Sequence, residues 1–296
     1  MNLRRVLFRK IRDKLSKPTQ EVKMSFEKHP LVPDYVYSPR TTDDEVPFFE
    51  RAYLREDKFY GADMKANDDR FEYAKRLGYS RMEYLRARLG DVDTSFEFYG
   101  DKGFAWPVNH DLVSQDKNAF FVCAGAGGNI TFEMALANLY KDKTVYLLDP
   151  SPHSIRHVEN QTLPNNLLFE KVGLSDRTET LVFHKPSAEG IGSLSALALN
   201  PSDDTFELPV ENLEDLCTRV GRDPADITYL KFDIEGSEHV VIDHMIERKI
   251  FPKQITLEYD QPVPPWTIES SLRSLICAGY ELQAIWGLNV YLTYKG

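Results

Sequence analysis

Cysteine, long apolar runs and basic charge are all scarce in this sequence. Only three cysteines occur among 296 residues, at Cys123, Cys217 and Cys277, which is too few for a disulfide framework and the wrong spacing for a zinc site. No apolar run is long enough to span a bilayer, and the N-terminus lacks the pattern of a secretory signal. We therefore expect a cytoplasmic protein in a reducing compartment.

The net charge of −10 argues against a nucleic-acid partner, because binding to phosphates requires a basic face. Basic residues are concentrated instead in residues 1–17. Apolar residues there recur at helical spacing, which predicts a basic amphipathic helix. Two interpretations stay open for this helix: peripheral contact with an anionic membrane surface, or packing on the rest of the protein or on a partner.

Residues 18–102 are polar, charged and aromatic, with early prolines. Helical spacing recurs at Glu50–Leu54 and Asp68–Leu89, so we predict a mostly helical N-terminal extension or lid. From Asn118 onward the pattern changes, because short apolar runs alternate with helical stretches. This alternation predicts an α/β domain with a doubly wound, mostly parallel sheet. The runs that predict strands are Ala119–Ala124, Thr144–Leu148, Leu167–Val172, Ile227–Phe232 and Gln254–Glu258, followed by a hairpin over 280–285 and 290–294.

A glycine-rich loop follows the first of these strands and opens the first helix. Glycine permits a tight turn and close approach of a ligand to the backbone, and free amides at a helix start hold polar or anionic groups. A structural turn is the alternative, but the position between strand and helix favours cofactor binding. The predicted binding residues of the loop are Gly125, Ala126, Gly127, Gly128 and Asn129.

Asp149 and Pro150 end the second strand, roughly twenty residues beyond the loop. An acid at this place binds the ribose hydroxyls of nucleotide-like cofactors. Capping of the next helix, which begins near Pro152, is the alternative role for Asp149.

The segment Lys231-Phe232-Asp233-Ile234-Glu235-Gly236-Ser237-Glu238 matches the hallmark block of the FkbM-type methyltransferases in full. With the glycine loop and the Asp149-Pro150 pair, it makes the chain similar to that family from about Gly103 to the C-terminus. The resemblance implies a Rossmann-like class I methyltransferase domain over residues 103–296 and S-adenosyl-L-methionine as cofactor. It also implies that Gly173 and Leu174 line the adenine pocket.

Carboxylates at strand ends suit the base that removes the proton of an acceptor hydroxyl. Asp233, which is also predicted to bind the cofactor, is the first candidate, and Glu258 and Asp260 at the end of the fifth strand are further catalytic candidates. His110, His153 and His184 are alternative bases. One divalent cation stays open as an alternative, with Asp233, Glu235, Glu258 and Asp260 as the ligands, since hard cations prefer carboxylate oxygens.

The sequence favours an O-methyltransferase that acts on a sugar hydroxyl of a glycan, a glycolipid or a glycosylated metabolite. A small-molecule hydroxyl outside sugars is a second acceptor class, and a nicotinamide-dependent dehydrogenase is a weaker alternative. A non-catalytic scaffold that binds a partner is the alternative from another class. Cys123 and Asp260 favour it, because many family members carry an acid and a histidine at these positions.

Overall fold

The computed structural model describes residues 85, 89, 96–101, 103–185, 194–196, 205–259, 265–286 and 288–296. The predicted helices over residues 1–17 and 50–54 lie outside this part of the chain. Within the predicted stretch that ends at Leu89, Leu85 and Leu89 are helical, and Leu85 is buried. No helix in these ranges combines the length and the apolar character needed to cross a bilayer.

Strands and helices alternate through the described residues, as the sequence predicts. We number the described strands and helices in chain order. They are β1 (Phe98–Tyr99), β2 (Trp106–Pro107), α1 (His110–Ser114), β3 (Phe120–Ala124), α2 (Thr131–Leu139), β4 (Thr144–Leu148), α3 (Pro152–Glu159), β5 (Leu167–Glu170), β6 (Gly173–Leu174), β7 (Glu179–His184), β8 (Thr205–Glu211), α4 (Leu213–Val220), β9 (Ile227–Phe232), α5 (Glu238–Arg248), β10 (Gln254–Glu258), α6 (Pro265–Cys277), β11 (Tyr280–Trp286) and β12 (Asn289–Tyr294).

Seven strands form the central sheet, in the order β11-β12-β10-β9-β3-β4-β5. The pairs among β5, β4, β3, β9 and β10 are parallel, whereas β12 runs antiparallel to both β10 and β11. Every residue of β3 and β9 is buried, as is typical of central strands in a mostly parallel sheet. The predicted mostly parallel sheet and its closing hairpin are confirmed.

A smaller sheet with the order β6-β8-β7 was not predicted. Its two longer strands expose alternate residues, and Pro209 lies inside β8. This sheet connects β5 to α4 along the chain and places Gly173 beside Val210 in parallel register.

The contacts divide the chain into two units. One contains Met1–Asp91 and Pro262–Ser270, and the other contains Val92–Gln261 and Ser271–Gly296. Inside the second unit, β1 pairs with β2, and the ring of Phe96 lies edge-on to that of Tyr291 with 5.2 Å between centroids. The predicted domain limits at residues 17 and 102 stay predictions.

Candidate active site

Four of the predicted site residues meet at the carboxyl edge of the central sheet. Gly125 follows β3, Asp149 follows β4, Asp233 follows β9 and Glu258 ends β10. From β3 the chain adds β4 and β5 on one side, and β9 and β10 on the other. Strand order therefore reverses between β3 and β9, which is where sheets of this kind bind ligands.

The glycine loop needs glycine at its first position because the backbone of Asp233 lies against it. Gly125 has a φ of +91°, and a Cβ there would overlap the carbonyl oxygen of Asp233. Gly127 also has a positive φ, +51°, but a Cβ there would meet nothing within 4 Å. Because Gly127 and Gly128 are exposed, this side of the loop is open to a ligand.

Asp149 is buried and holds the glycine loop to the end of β4. Its Oδ2 accepts hydrogen bonds from the backbone N–H groups of Ala126 (2.9 Å) and Gly127 (3.3 Å). Its Oδ1 accepts one from the N–H of Ser151 at 2.8 Å. The alternative capping role belongs to Ser151, whose side chain accepts from the N–H of Ser154 at the start of α3. Binding of ribose by Asp149 stays a prediction.

The start of α2, directly after the loop, has free capacity for a polar ligand group. Its N-cap residue, Ile130, provides no side-chain acceptor. The Oδ1 of Asn129 accepts from the N–H of Thr131 at 2.9 Å and from its hydroxyl at 2.6 Å. Asn129 therefore stiffens the turn, while helix-start amides without a side-chain cap suit an anionic group.

The carboxyl groups of Asp233 and Glu258 lie next to each other. Their strands are parallel neighbours, with Leu257 opposite Phe232. Burial raises the pKa of Asp233 above its ordinary value, and the charge of Asp149 adds to this, although Lys231 and the interaction with Glu258 act in the opposite direction. Burial is the larger effect, so Asp233 holds a proton to a higher pH than an ordinary aspartate.

Lys231 is buried behind this pair and was not predicted to belong to the site. Its ammonium lies 3.0 Å from Oε1 of Glu133 and donates to the carbonyl of Gly125 at 2.8 Å. The charge lies 5.4 Å from the ring centroid of Trp106. The hallmark block is the only sequence signal for this residue, because spacing does not show which side chains of β9 and α2 meet.

The rest of the hallmark block forms the turn between β9 and α5. Glu235 has a φ of +55°, unusual for a residue other than glycine, and its carbonyl accepts from the Ser195 hydroxyl at 2.6 Å. Glu238 is buried, and its carboxylate accepts from the N–H of Ile234 at 2.9 Å. Glu238 therefore stabilises the turn that leads into α5.

Gly173, Leu174 and Pro150 also come together. A Cβ on Gly173 would lie 3.2 Å from Cγ of Pro150, and both Gly173 and Leu174 are buried. Two of the three histidines predicted as alternative bases lie near the site. A Cβ on Gly128 would lie 3.5 Å from Nε2 of His153, and the backbone of His184 pairs with that of Ser195, whose hydroxyl bonds to the carbonyl of Glu235. His110, on α1 before the amino end of β3, lies between the hydroxyls of Tyr99 (2.6 Å) and Tyr140.

No group of three or more His, Cys, Asp or Glu side chains that suits a metal ion occurs among the residues that the structure describes. The predicted cation therefore has no support from Asp233, Glu235 and Glu258. Asp260, a predicted catalytic residue and the fourth ligand candidate, lies outside the described residues.

Comparisons with known proteins agree with this architecture. The family described as "Methyltransferase FkbM domain" matches residues 116–274. Comparison with curated protein sequences gives no match. Among solved structures, the chain is similar to a fibrillarin pre-rRNA processing protein of Methanococcus jannaschii, with 10% identity, a TM-score of 0.37 and coverage of 61% of this chain and 68% of that chain. It is also similar to a precorrin-6y C5,15-methyltransferase from Geobacter metallireducens GS-15, with 15% identity, a TM-score of 0.36 and coverage of 63% and 84%.

The matched range takes in more than half of the chain. It contains the glycine loop, the acid that holds the loop, and the pair formed by Asp233 and Glu258. The chain therefore belongs to the FkbM methyltransferase family.

Proposed function

We propose that this methyltransferase uses S-adenosyl-L-methionine to methylate a hydroxyl group, and that the hydroxyl belongs to a sugar of a glycan, a glycolipid or a glycosylated metabolite. The observation that carries the proposal is the pair of neighbouring carboxyl groups, those of Asp233 and Glu258, beside the glycine loop. A hydroxyl acceptor needs a group that removes its proton during transfer, and a carboxyl group with a raised pKa performs that role closer to neutral pH.

The residues around the glycine loop fit the cofactor. The open side of Gly127 admits a ligand to the backbone, and the start of α2, where the N-cap residue Ile130 makes no side-chain cap bond, suits the carboxylate of its methionine part. Asp149 accepts only one bond on Oδ1 among the described contacts, so that oxygen retains capacity for a ribose hydroxyl. When bound, S-adenosyl-L-methionine supplies an electrophilic methyl group, whose bond to sulfur breaks with the electron pair staying on sulfur as the acceptor oxygen bonds to the methyl carbon.

In this mechanism the acceptor hydroxyl donates its hydrogen bond to Asp233. Two carboxylates in contact repel each other, so the pair shares one proton. The shared proton leaves one carboxylate oxygen of Asp233 free to accept a hydrogen bond. As the new carbon–oxygen bond forms, the hydroxyl proton passes to the free oxygen of Asp233. A carboxylate has several acceptor positions, so the pair can also bind a second hydroxyl next to the reacting one. A sugar offers such neighbouring hydroxyls, whereas an isolated alcohol does not, which favours a sugar.

Calorimetric titration with S-adenosylmethionine and S-adenosylhomocysteine tests the cofactor. We expect micromolar binding by the wild type, and about 10–100-fold weaker binding by Asp149→Ala, the usual effect of losing a charge-assisted hydrogen bond. Glu159→Ala is the matched control, since its carboxylate pairs with Lys171 on the surface, and it should bind as the wild type does. A panel of sugar and non-sugar alcohols then identifies the acceptor.

If the folded wild-type protein binds neither compound, the catalytic proposal is wrong. The non-catalytic scaffold would then be the better explanation for the intact fold. Cys123 and Asp260 would agree with it, because they replace an acid and a histidine that many family members carry. If the cofactor binds and only alcohols without a sugar are methylated, the sugar part alone is wrong.

A further inference from the structure

Lys231 and Glu133 form an ion pair that is almost completely withdrawn from water. Their side chains are 5% and 1% exposed, and the charged atoms are 3.0 Å apart. Taking two charges out of water costs several kcal/mol per ion, and the attraction between them often does no more than offset this cost. A pair of apolar side chains would fill the same space with no loss of fold stability. The pair therefore calls for an explanation other than stability.

The ammonium of Lys231 also fixes the first peptide of the glycine loop. It donates to the carbonyl of Gly125 at 2.8 Å, while the N–H of Gly125 donates to the carbonyl of Leu148 at 2.9 Å. Gly125 is therefore held at its carbonyl by β9 and at its N–H by β4. The next amides, those of Ala126 and Gly127, point at Asp149.

Glu133 extends this connection to the helix that the loop opens. It lies in the first turn of α2, so the ion pair joins β9 to the start of that helix. The ring of Trp106 closes the remaining side of the ammonium at 5.4 Å. One buried cation therefore ties together the strand that carries Asp233, the loop carbonyl and the helix start.

We propose that Lys231 is a positioning residue for the cofactor, which holds the Gly125 peptide and, through Glu133, the start of α2 in the orientation that binds S-adenosylmethionine. The proposal rests on the proposed function, and its ligand is the one named there. Lys231 acts through the backbone of the loop and is not a catalytic residue.

The double variant Lys231→Met with Glu133→Gln tests the proposal by calorimetry with S-adenosylmethionine. Methionine keeps the length of the side chain, and the change to glutamine removes the Glu133 carboxylate, which would otherwise lose its partner. We expect the Kd for S-adenosylmethionine to rise at least about tenfold, which corresponds to one well-placed interaction.

The matched control is Lys253→Met with Asp116→Asn. This pair, at 2.6 Å and with side chains 35% and 11% exposed, lies at the opposite ends of the strands, because Asp116 precedes β3 and Lys253 precedes β10. We expect the control to lower the melting temperature and to leave the Kd unchanged. A folded test variant whose Kd equals that of the wild type would overturn the proposal.

If the double variant does not fold, Lys231→Arg carries the test. Arginine keeps a cation beside Glu133, but its planar fork cannot keep the same bond to Gly125, so the Kd should again rise, and an unchanged Kd overturns the proposal. Failure of the proposed function is a separate result, since the wild type itself would then not bind.

Discussion

At the residue scale, Asp233, the proposed base, carries a cost to stability. Its half-buried carboxyl group has a pKa above the ordinary value, mainly because of burial. The unfolded chain therefore releases this proton at a lower pH than the folded chain does. Stability contributed by the protonated group is complete below the ordinary carboxyl pKa and is lost as the pH rises through the folded pKa.

We predict that Asp233→Asn is more stable than the wild type at neutral pH, with a melting temperature higher by a few degrees. The difference should shrink as the pH falls toward the ordinary carboxyl pKa, because asparagine does not titrate. Turnover should fall by about 10²–10⁴-fold, as is usual when a general base is lost, while calorimetry should still detect cofactor binding.

Glu159→Gln serves as the matched control for Asp233→Asn, since it neutralises an exposed carboxylate. It should change neither turnover nor the dependence of melting temperature on pH. Unchanged turnover in Asp233→Asn would show that the base is another group, and Glu258 would be the next to test.

At the element scale, two helices end in the same left-handed conformation with different residues. Gly221 follows α4 with a φ of +68°, whereas Lys249 follows α5 with a φ of +57°. A side chain in this region costs roughly 1–2 kcal/mol, which glycine avoids. Lys249 is exposed, so its side chain has no packing role to lose.

We predict that Lys249→Gly stabilises the protein by about 1 kcal/mol and that Gly221→Ala destabilises it by a similar amount. A Cβ at Gly221 would meet nothing within 4 Å, so the effect there comes from the backbone conformation alone. Urea unfolding at neutral pH measures both changes. Equal stabilities for all three proteins would mean that these helix ends fray before the main transition.

The elements that the sequence predicts best are the central strands. The bounds of β4, β9 and β10 coincide with the predicted ranges, since largely buried parallel strands appear as short runs rich in apolar and β-branched residues. The small sheet escaped prediction because β7 and β8 are half exposed and their partners are distant in the chain. Helix α4 was also missed, although Asn212 and Gly221 provide the usual start and end signals.

For the site, the sequence predicts the residues whose positions follow from the ends of strands and from the order of the motifs. Gly125, Asp149, Asp233 and Glu258 follow neighbouring parallel strands, so their meeting is a consequence of topology. The contact between Lys231 and Glu133 depends on which faces of β9 and α2 meet. No pattern within either segment carries that information.

At the scale of the whole molecule, the position of the domain boundary decides which aromatic contacts a shortened chain keeps. The second unit begins at Val92, whereas the sequence predicts a boundary at residue 103. Between them, the rings of Phe96 and Phe98 lie edge-on to Tyr291 and Trp286 at 5.2 Å. Each such aromatic pair adds ~0.5–1.5 kcal/mol beyond the burial of its surface.

We predict that a chain beginning at Val92 melts several degrees above one that begins at Gly103, because only the longer chain keeps these ring contacts. Circular dichroism on heating measures the difference, and the full-length protein is the reference. Equal melting temperatures would show that residues 92–102 contribute nothing to the stability of the domain, and would favour the boundary at 103.

The pairing of β3 with β9 has a consequence for how the chain reaches this structure. Phe120 lies opposite Ile227 in the register of these strands, so about a hundred residues must be closed into a loop before the pair forms. Such non-local pairing is slow, because the intervening chain loses conformational entropy before the contacts that stabilise the pair have formed. Strands β3, β4 and β5 lie closer along the chain, and we expect them to associate first. The glycine loop then exists before Asp233 reaches it, and the ability to bind cofactor appears only with the last strands to join.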